Sequence, residues 1–230
     1  MAKVYETEQA LLRTKGMSAN VAARLRSMID EGHLAPGARI DEKAMCEAFD
    51  ISKTPLREAL KVLTAEGRVI HRQYIGYRVA EIDRDDLLAT FEVLHGLEAQ
   101  TGALLATRLT TDHVIAIAAK HRTMLHCYET GRRAEYFKLN QSVHQMIVDA
   151  AGNAVLSDIY RTLMAKVYRA RGAANADTSR WKESTDEHCE IIAALENGNL
   201  RELPSLLREH SERTAAEVTS ALDRAAREKP

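Results

Sequence analysis

The sequence has few residues that interrupt helices. Its 230 residues include only 4 prolines and 11 glycines, and no proline lies between Leu56 and Leu203. Proline breaks helices, and turn-rich β folds depend on both residue types. The composition therefore argues against collagen-like, disordered and all-β architectures and favours helices.

Cysteines and long apolar runs are also scarce. The three cysteines form no CxxC pair, so we expect a reducing compartment rather than a disulfide scaffold. No apolar run approaches the ~18 residues of a transmembrane helix. The first residues carry acids and lack the apolar segment of a secretory signal. We therefore expect a cytoplasmic protein with no membrane partner.

The chain also has no large excess of positive or negative charge. The chain has 32 basic and 33 acidic side chains, which excludes a wholly basic nucleic-acid coat protein. The first 80 residues nevertheless hold 13 basic and 10 acidic side chains. This modest asymmetry predicts that a DNA-compatible surface lies in the first third of the chain. The length suits two domains.

The first third of the chain has the pattern of three short helices and a β-hairpin. The predicted helices span residues 18–31, 41–48 and 52–67, and the predicted strands span 68–71 and 77–80. Ser18 and Ser52 are placed as N-caps, and Pro55 lies in a first helical turn, where its missing N–H costs nothing. This order predicts a winged helix-turn-helix domain over residues 18–82, after an N-terminal extension over residues 1–17.

The rest of the chain has the pattern of six helices with short connections. The predicted helices span residues 83–109, 111–130, 134–151, 153–172, 179–197 and 203–227. Glycines stand where four of them are expected to end: Gly131, Gly152, Gly172 and Gly198. Short connections place neighbouring helices antiparallel. The predicted fold is therefore mainly α, with an all-α antiparallel bundle over residues 83–230.

The helix that begins at Ser52 is the candidate DNA-recognition helix, because such helices contact DNA through residues near their N-terminus. Arg57 can make a bidentate contact with guanine, worth roughly 1–3 kcal/mol of discrimination, whereas lysines suit phosphates. Arg72 and Tyr74 lie in the predicted wing, and Gly76 permits close backbone approach. The candidate DNA-contacting residues are Lys43, Ser52, Lys53, Thr54, Arg57, Lys61, Arg72, Tyr74 and Gly76.

Isolated charges of this kind are usually solvated surface groups, but the order of the elements favours DNA binding. The run from Val21 to Val79 resembles the winged helix-turn-helix of GntR-type bacterial transcription regulators. The resemblance rests on Leu34-Ala35-Pro36-Gly37, on Ser52 to Leu60 (SKTPLREAL), on Leu63 to Gly67 (LTAEG) and on Gly76-Tyr77-Arg78-Val79. Two departures are Lys53, where arginine is commoner, and Asp50, where glycine is usual.

Histidines lie on the apolar stripes of three predicted bundle helices. His144 shares a stripe with Asn140 one turn earlier, and His188 and His210 lie on stripes of two later helices. Imidazole nitrogens suit Zn²⁺, Ni²⁺ and similar ions, and an amide oxygen can complete the ligand shell. Each histidine alone is more simply a hydrogen-bonded core residue, as His121 on another stripe illustrates. The spacing alone does not show that these helices meet.

The bundle resembles the FCD effector-binding domain of the FadR branch of the GntR family. The matching landmarks are Leu97-Glu98, the run from Asn140 to Asn153, Glu187-His188 and Arg208-Glu209-His210. Many FCD domains hold a divalent metal through an Asp or Asn four residues before a His, with two later His. The resemblance implies Asn140, His144, His188 and His210 as metal ligands. Asn140 replaces the commoner Asp, which makes the site one charge less negative.

The resemblance also implies a small-molecule effector, for which an organic acid is the candidate class. Many relatives have an arginine near Leu94 that pairs with an effector carboxylate, but this chain has Leu94-His95 there. Arg169 or Arg171 is a substitute cation, although surface arginines are the commoner interpretation. The candidate effector-binding residues are Leu94, His95 and Arg169.

We weigh three functions. The first is a ligand-responsive transcription regulator, most simply a repressor, that binds as a homodimer to a pseudo-palindromic DNA operator and holds an effector at a divalent metal in the bundle. The second is a metal-dependent enzyme with an appended DNA-binding domain, but no general base is evident on the histidine stripes. The third is a constitutive DNA-binding dimer without an effector, which the inward polar cluster disfavours.

Overall fold

The structure of the protein is a computed structural model, which describes residues 2–173 and 180–227, with the side chains of residues 2–15, 173, 225 and 226 excepted. The chain divides into two compact units between Ile82 and Asp83. Both units are dominated by helices, and the single sheet of the described residues has two strands. The predicted mainly α fold class, with a β-hairpin in the first unit only, is confirmed.

The first unit contains three helices followed by an antiparallel hairpin. Its elements are α1 (Ala2–Asp30), α2 (Glu42–Phe49), α3 (Lys53–Ala65), β1 (Val69–Arg72) and β2 (Gly76–Val79). In the hairpin Val69 pairs with Val79 and Arg72 pairs with Gly76. The core is formed by the apolar stripes of α1 and α3 together with the inward valines of the hairpin, so the polar face of α3 remains at the surface.

Of the two predicted helix caps in this unit, Ser18 is wrong and Ser52 is confirmed in position only. Ser18 lies inside α1, because residues 2–17 contain no proline and the one glycine, Gly16, costs a helix only ~1 kcal/mol. Ser52 has the extended backbone of an N-cap, but its side chain makes no cap hydrogen bond. Asp41 does cap α2, because its carboxylate accepts from two backbone N–H groups. Asp50 adopts φ +51° after α2, a conformation that explains why glycine is usual there.

The second unit is a bundle of six helices within the described residues. They are α4 (Arg84–Arg108), α5 (Thr111–Glu129), α6 (Arg133–Ala150), α7 (Ala154–Ala173), α8 (Trp181–Glu196) and α9 (Leu203–Arg227). The predicted bounds agree within two residues, although the predicted start at residue 179 lies outside the described part of the chain. Gly131, Gly152 and Gly198 have positive φ at helix ends, whereas Gly172 stays within α7.

All six helices of the bundle pack against one another. α4 packs against α9 and α7, α5 packs against α6 and α8, and α8 also packs against α9. α4 and α9 approach closely because Gly102 faces Pro204, and a Cβ built on Gly102 would lie 2.4 Å from Pro204 Cγ. Among the described helices, none is both long and apolar enough to span a bilayer.

Candidate metal centre and DNA-binding surface

Four predicted ligands from three helices meet in the bundle. Asn140 and His144 lie one turn apart on α6, His188 lies on α8 and His210 lies on α9, and all four are buried. One ring nitrogen from each histidine lies within 4.8 Å of the others. The His188 Nε2 atom is 3.2 Å from His144 Nε2, and the Asn140 amide nitrogen donates to it over 2.7 Å. The three helices that carry these histidines, α6, α8 and α9, therefore do meet in the bundle.

The electrostatic setting keeps these imidazoles neutral. Burial lowers the pKa of His144 and of His188 well below the ordinary value, and the neighbouring His210 adds to the effect. Burial also lowers the pKa of His210, against the opposing influence of Glu187. A neutral imidazole has a lone pair available, so the cluster has the protonation state that a divalent metal requires.

Glu187 is a site residue that the sequence analysis missed. Its carboxylate accepts from His210 Nδ1 over 2.7 Å and forms ion pairs with Arg180 and Arg213 at 3.0 and 2.8 Å. Burial would raise the pKa of Glu187, but these three partners lower it to about 2. The bond at Nδ1 directs His210 Nε2 to the cluster, as carboxylates do behind metal-binding histidines.

The apolar pattern of α8 does not predict that Glu187 is buried, because α8 is buried on more than one side. Neighbouring positions on a helix face different sides, so the stripe through His188 does not include Glu187. α8 packs against both α5 and α9, so its buried face is wide and includes Ser184, Thr185, Glu187, His188 and Ile191. His121, on α5, is also buried, and its ring stacks against that of His188 with centroids 6.1 Å apart.

A cavity borders the histidine cluster. Its lining residues are Phe91, Glu98, Asn140, His144, Tyr160, Met164, Val167, Arg171, His210, Ser211 and Thr214. They surround about 280 Å³ of space that no protein atom fills, part of it open to solvent. We call this space the central cavity. It joins an apolar wall to the polar atoms of the predicted metal ligands.

The cation of the central cavity is Arg171 on α7. Its guanidinium lies 4.7 Å from the centre of the Phe137 ring, and the described residues offer it no salt bridge. Leu94, His95 and Arg169 are not among the lining residues. Residues two apart on a helix face different sides, so Arg171 rather than Arg169 turns toward the cavity. Of the two arginines that the sequence offers as a substitute cation, Arg171 is the one that lines the cavity.

The candidate DNA-contacting residues lie on exposed parts of the first unit. On α3 the side chains of Lys53, Thr54, Arg57 and Lys61 are exposed, while Leu56 and Leu60 are buried in the core. Arg57 Nε donates to Glu42 over 2.7 Å and Lys61 pairs with Glu58 at 2.8 Å. Ser52 and Lys43 are also exposed. α3 therefore offers a polar, cation-bearing face.

The wing presents Tyr74 at its tip. Tyr74 is 98% exposed and has φ +65°, a left-handed conformation that is rare for an aromatic residue. Arg72 is exposed at the end of β1, and Gly76 has φ +89° at the start of β2. The tight turn holds an aromatic ring and a guanidinium out toward solvent, where a sugar-phosphate edge could be contacted.

Comparison with known proteins gives matches in both units. The family model of bacterial regulatory proteins of the gntR family matches residues 17–79, and the FCD domain model matches residues 89–213. Together the two models account for most of the chain. They define a transcription regulator with an N-terminal helix-turn-helix unit and a C-terminal helical unit.

Similar curated proteins are regulators as well. A probable D-xylose utilization operon transcriptional repressor of Paenarthrobacter nicotinovorans is 28% identical, over 84% of each chain. The Nta operon transcriptional regulator of Aminobacter aminovorans is 29% identical, over 71% of this chain and 76% of the relative. Among solved structures, McbR/YncC of E. coli superposes with a TM-score of 0.77 at 19% identity, over 89% of this chain and 97% of that one.

The chain belongs to the GntR family of bacterial regulatory proteins and carries an FCD domain. Its relatives are transcription regulators, so it is a regulator and not an enzyme. The predicted family and architecture are confirmed. The ligand set, the DNA contacts and the effector residues remain predictions.

Proposed function

We propose that this protein is a cytoplasmic transcriptional repressor of the FadR branch whose DNA binding is controlled by a small anionic effector. A homodimer would present two α3 helices to the half-sites of a pseudo-palindromic operator. The observation that carries the effector is the half-buried side chain of Arg171, which lines a cavity beside three neutral histidines. Repression is the role named for two of the relatives.

The cluster fits a divalent metal such as Zn²⁺ or Ni²⁺. His144, His188 and His210 would be the nitrogen ligands, and Asn140 would contribute its amide oxygen after a rotation of the side chain. Two buried nitrogens, His144 Nδ1 and His188 Nδ1, have no hydrogen-bond partner among the described residues. The close Nε2 atoms of these two rings, 3.2 Å apart, are more stable around a cation than against each other.

A metal and Arg171 together define an anion site. Three histidines and an amide carry no charge, so a bound divalent ion would keep its full positive charge for an effector. The pKa of Arg171 is lowered by burial, and Glu217 counteracts this effect most. Glu217 itself pairs with Arg180 at 3.4 Å. A carboxylate effector would therefore gain a metal bond and a charge-assisted hydrogen bond.

Effector binding would change DNA affinity only by its differential affinity for the DNA-bound and DNA-free forms. The constitutive alternative, in which the bundle merely dimerises, is disfavoured because buried polar groups without partners destabilise a purely structural core. Removing the metal with a chelator separates the two functions. Under this proposal the chelator lowers both the thermal midpoint and the response to effector.

The test is a selection of genomic fragments by the purified full-length protein. Fragments are selected at about 150 mM salt with competitor DNA, since phosphate contacts alone bind any sequence at low salt. We expect a few fragments to be enriched and to share a pseudo-palindrome. The Arg57→Ala variant serves as the control and should enrich none of them. Sequence-blind enrichment with and without added Zn²⁺ would contradict the proposal.

A further inference from the structure

The central cavity also holds a carboxyl group that the metal site does not use. Glu98 lies on α4 and is only 3% exposed. Its Oε1 atom accepts from the Tyr160 hydroxyl over 3.5 Å, and Ser211 is a further hydrogen-bond neighbour. Its Oε2 atom is buried and has no partner among the described residues. One half of this carboxyl is therefore unsatisfied at the edge of a cavity.

Burial raises the pKa of Glu98 to about 8, although the two hydroxyl neighbours lower it. An ammonium donor at Oε2 would hold Glu98 as a carboxylate, because a neighbouring positive charge favours the ionised form. Within the described part of the chain, neither Glu98 nor Arg171 takes part in a salt bridge, with each other or with another residue. A buried polar atom without a partner is destabilising, so Glu98 Oε2 needs a partner from water or from a bound molecule. The cavity thus contains a carboxyl group and a guanidinium group, and neither has an ionic partner among the described residues.

We propose that the effector is a zwitterion of the amino acid class, whose ammonium group binds Glu98 Oε2 while its carboxylate binds at Arg171 and the metal centre. This inference rests on the proposed anion site and adds the second charged group of the ligand. A ligand with both charges would pair Glu98 and Arg171 at once, so neither buried group would remain without a counter-charge. The apolar lining side chains, Phe91, Met164 and Val167, suit a short hydrocarbon side chain.

The simpler view is that Glu98 is only a structural acceptor for Tyr160 and Ser211. That view explains Oε1 and leaves Oε2 unexplained, since the hydroxyl contacts can be made by a glutamine. A hydroxy acid is another possible ligand, because a hydroxyl also donates a hydrogen bond. It would carry no positive charge, so it would gain less from Glu98 than an ammonium group does.

The experiment compares ligands that share a carbon skeleton. The Zn²⁺-loaded full-length protein is titrated calorimetrically with alanine, valine, leucine and aspartate, and with the matching acids that lack the amine: propionate, 3-methylbutanoate, 4-methylpentanoate and succinate. Lactate is added as a hydroxy acid. We expect at least one amino acid to bind about 10- to 150-fold more tightly than its amine-free partner, the range of one charge-assisted hydrogen bond.

The variants assign that preference to a residue. Glu98→Gln keeps the shape and the Tyr160 contact, and should abolish the preference while the amine-free acid binds as in the wild type. Arg171→Gln should weaken both members of a pair. Glu92→Gln, an exposed acid on the same helix, is the matched control and should change neither. Thermal melting of each variant checks that it is folded.

Each other outcome counts against the inference. Equal binding of amino acids and amine-free acids would overturn the zwitterion and leave the anion site standing. A preference that survives in Glu98→Gln would place the amine on the metal, and lactate binding as tightly as alanine would make the donor a hydroxyl. If no member of either set binds, the anion site and the zwitterion both fail.

Discussion

Arg57 in the winged helix and Arg171 in the bundle are both candidate anion-binding groups, yet their surroundings differ. Arg57 is exposed and pairs with Glu42, an acid that it can release when a phosphate or base is offered. Arg171 is enclosed, stacks on Phe137 and has no salt bridge among the described residues. Exposed charges gain little from their partners, whereas buried ones depend on them strongly.

The two units therefore differ in how far they depend on a bound ligand. The surface cations of α3 are stable without DNA, so the first unit is complete before it binds. The central cavity is incomplete, because Arg171 has no salt bridge and Glu98 Oε2, His144 Nδ1 and His188 Nδ1 have no hydrogen-bond partner among the described residues. Buried groups of this kind make binding and stability interdependent. Variants in the two units should therefore differ in what they change.

The largest effect is expected for His188→Ala, which removes the histidine whose Nε2 lies closest to the other proposed ligands. The variant should lose bound metal and the stabilisation it brings, about 4 kcal/mol at a free metal concentration 1,000 times the dissociation constant. Elemental analysis after dialysis measures the metal, and thermal melting with and without a chelator measures the stabilisation. His126→Ala, an exposed histidine on α5, is the control.

Full metal content in His188→Ala would remove the proposed centre from this cluster. A chelator that leaves the wild-type melting temperature unchanged would do the same. In either case the three histidines would be a hydrogen-bonded core group, and the second unit would resemble the first in needing no ligand.

Arg57→Ala should act on DNA binding alone. We expect a loss of roughly 5- to 150-fold in affinity for a selected operator at fixed salt, which corresponds to one bidentate base contact. Lys61→Ala should instead weaken specific and random DNA to a similar degree and reduce the salt dependence by about one charge. Melting temperatures should not change. An Arg57→Ala protein with wild-type operator affinity would reject α3 as the recognition helix.

The sequence predicts the two units unequally. In the first unit the motif from Ser52 to Leu60 predicted a helix with an exposed polar face, because the order of elements there is local. In the bundle the stripes identified Asn140 and the three histidines as inward. They did not identify Glu187, and they did not choose between Arg169 and Arg171, because burial on α8 and α7 depends on which helices pack there. The central cavity is likewise a property of tertiary packing.

Glu187→Gln tests the contact between Glu187 and His210, which depends on tertiary packing. Loss of the carboxylate charge behind His210 should lower metal affinity by about 10- to 100-fold, the range found for groups that orient metal ligands. Competition with a chromogenic chelator measures the affinity. Glu190→Gln, an exposed acid on the same helix, should have no effect. Unchanged affinity in Glu187→Gln would mean that Glu187 serves only its two arginines.

The smallest effect is expected at the helix caps of the first unit, where two similar positions differ in their bonds. Asp41 accepts from the N–H groups of Lys43 and Ala44, whereas the Ser52 side chain makes no cap bond. Asp41→Ala should lower the local stability of α2 by about 1 kcal/mol, while Ser52→Ala should leave α3 unchanged. Hydrogen exchange of the two helices, followed by mass spectrometry, measures both. Equal losses would mean that Ser52 caps α3 in solution. If Ser52→Ala causes no loss of stability, this serine is free to contact DNA. The operator affinity of the variant protein would then fall without any change in α3.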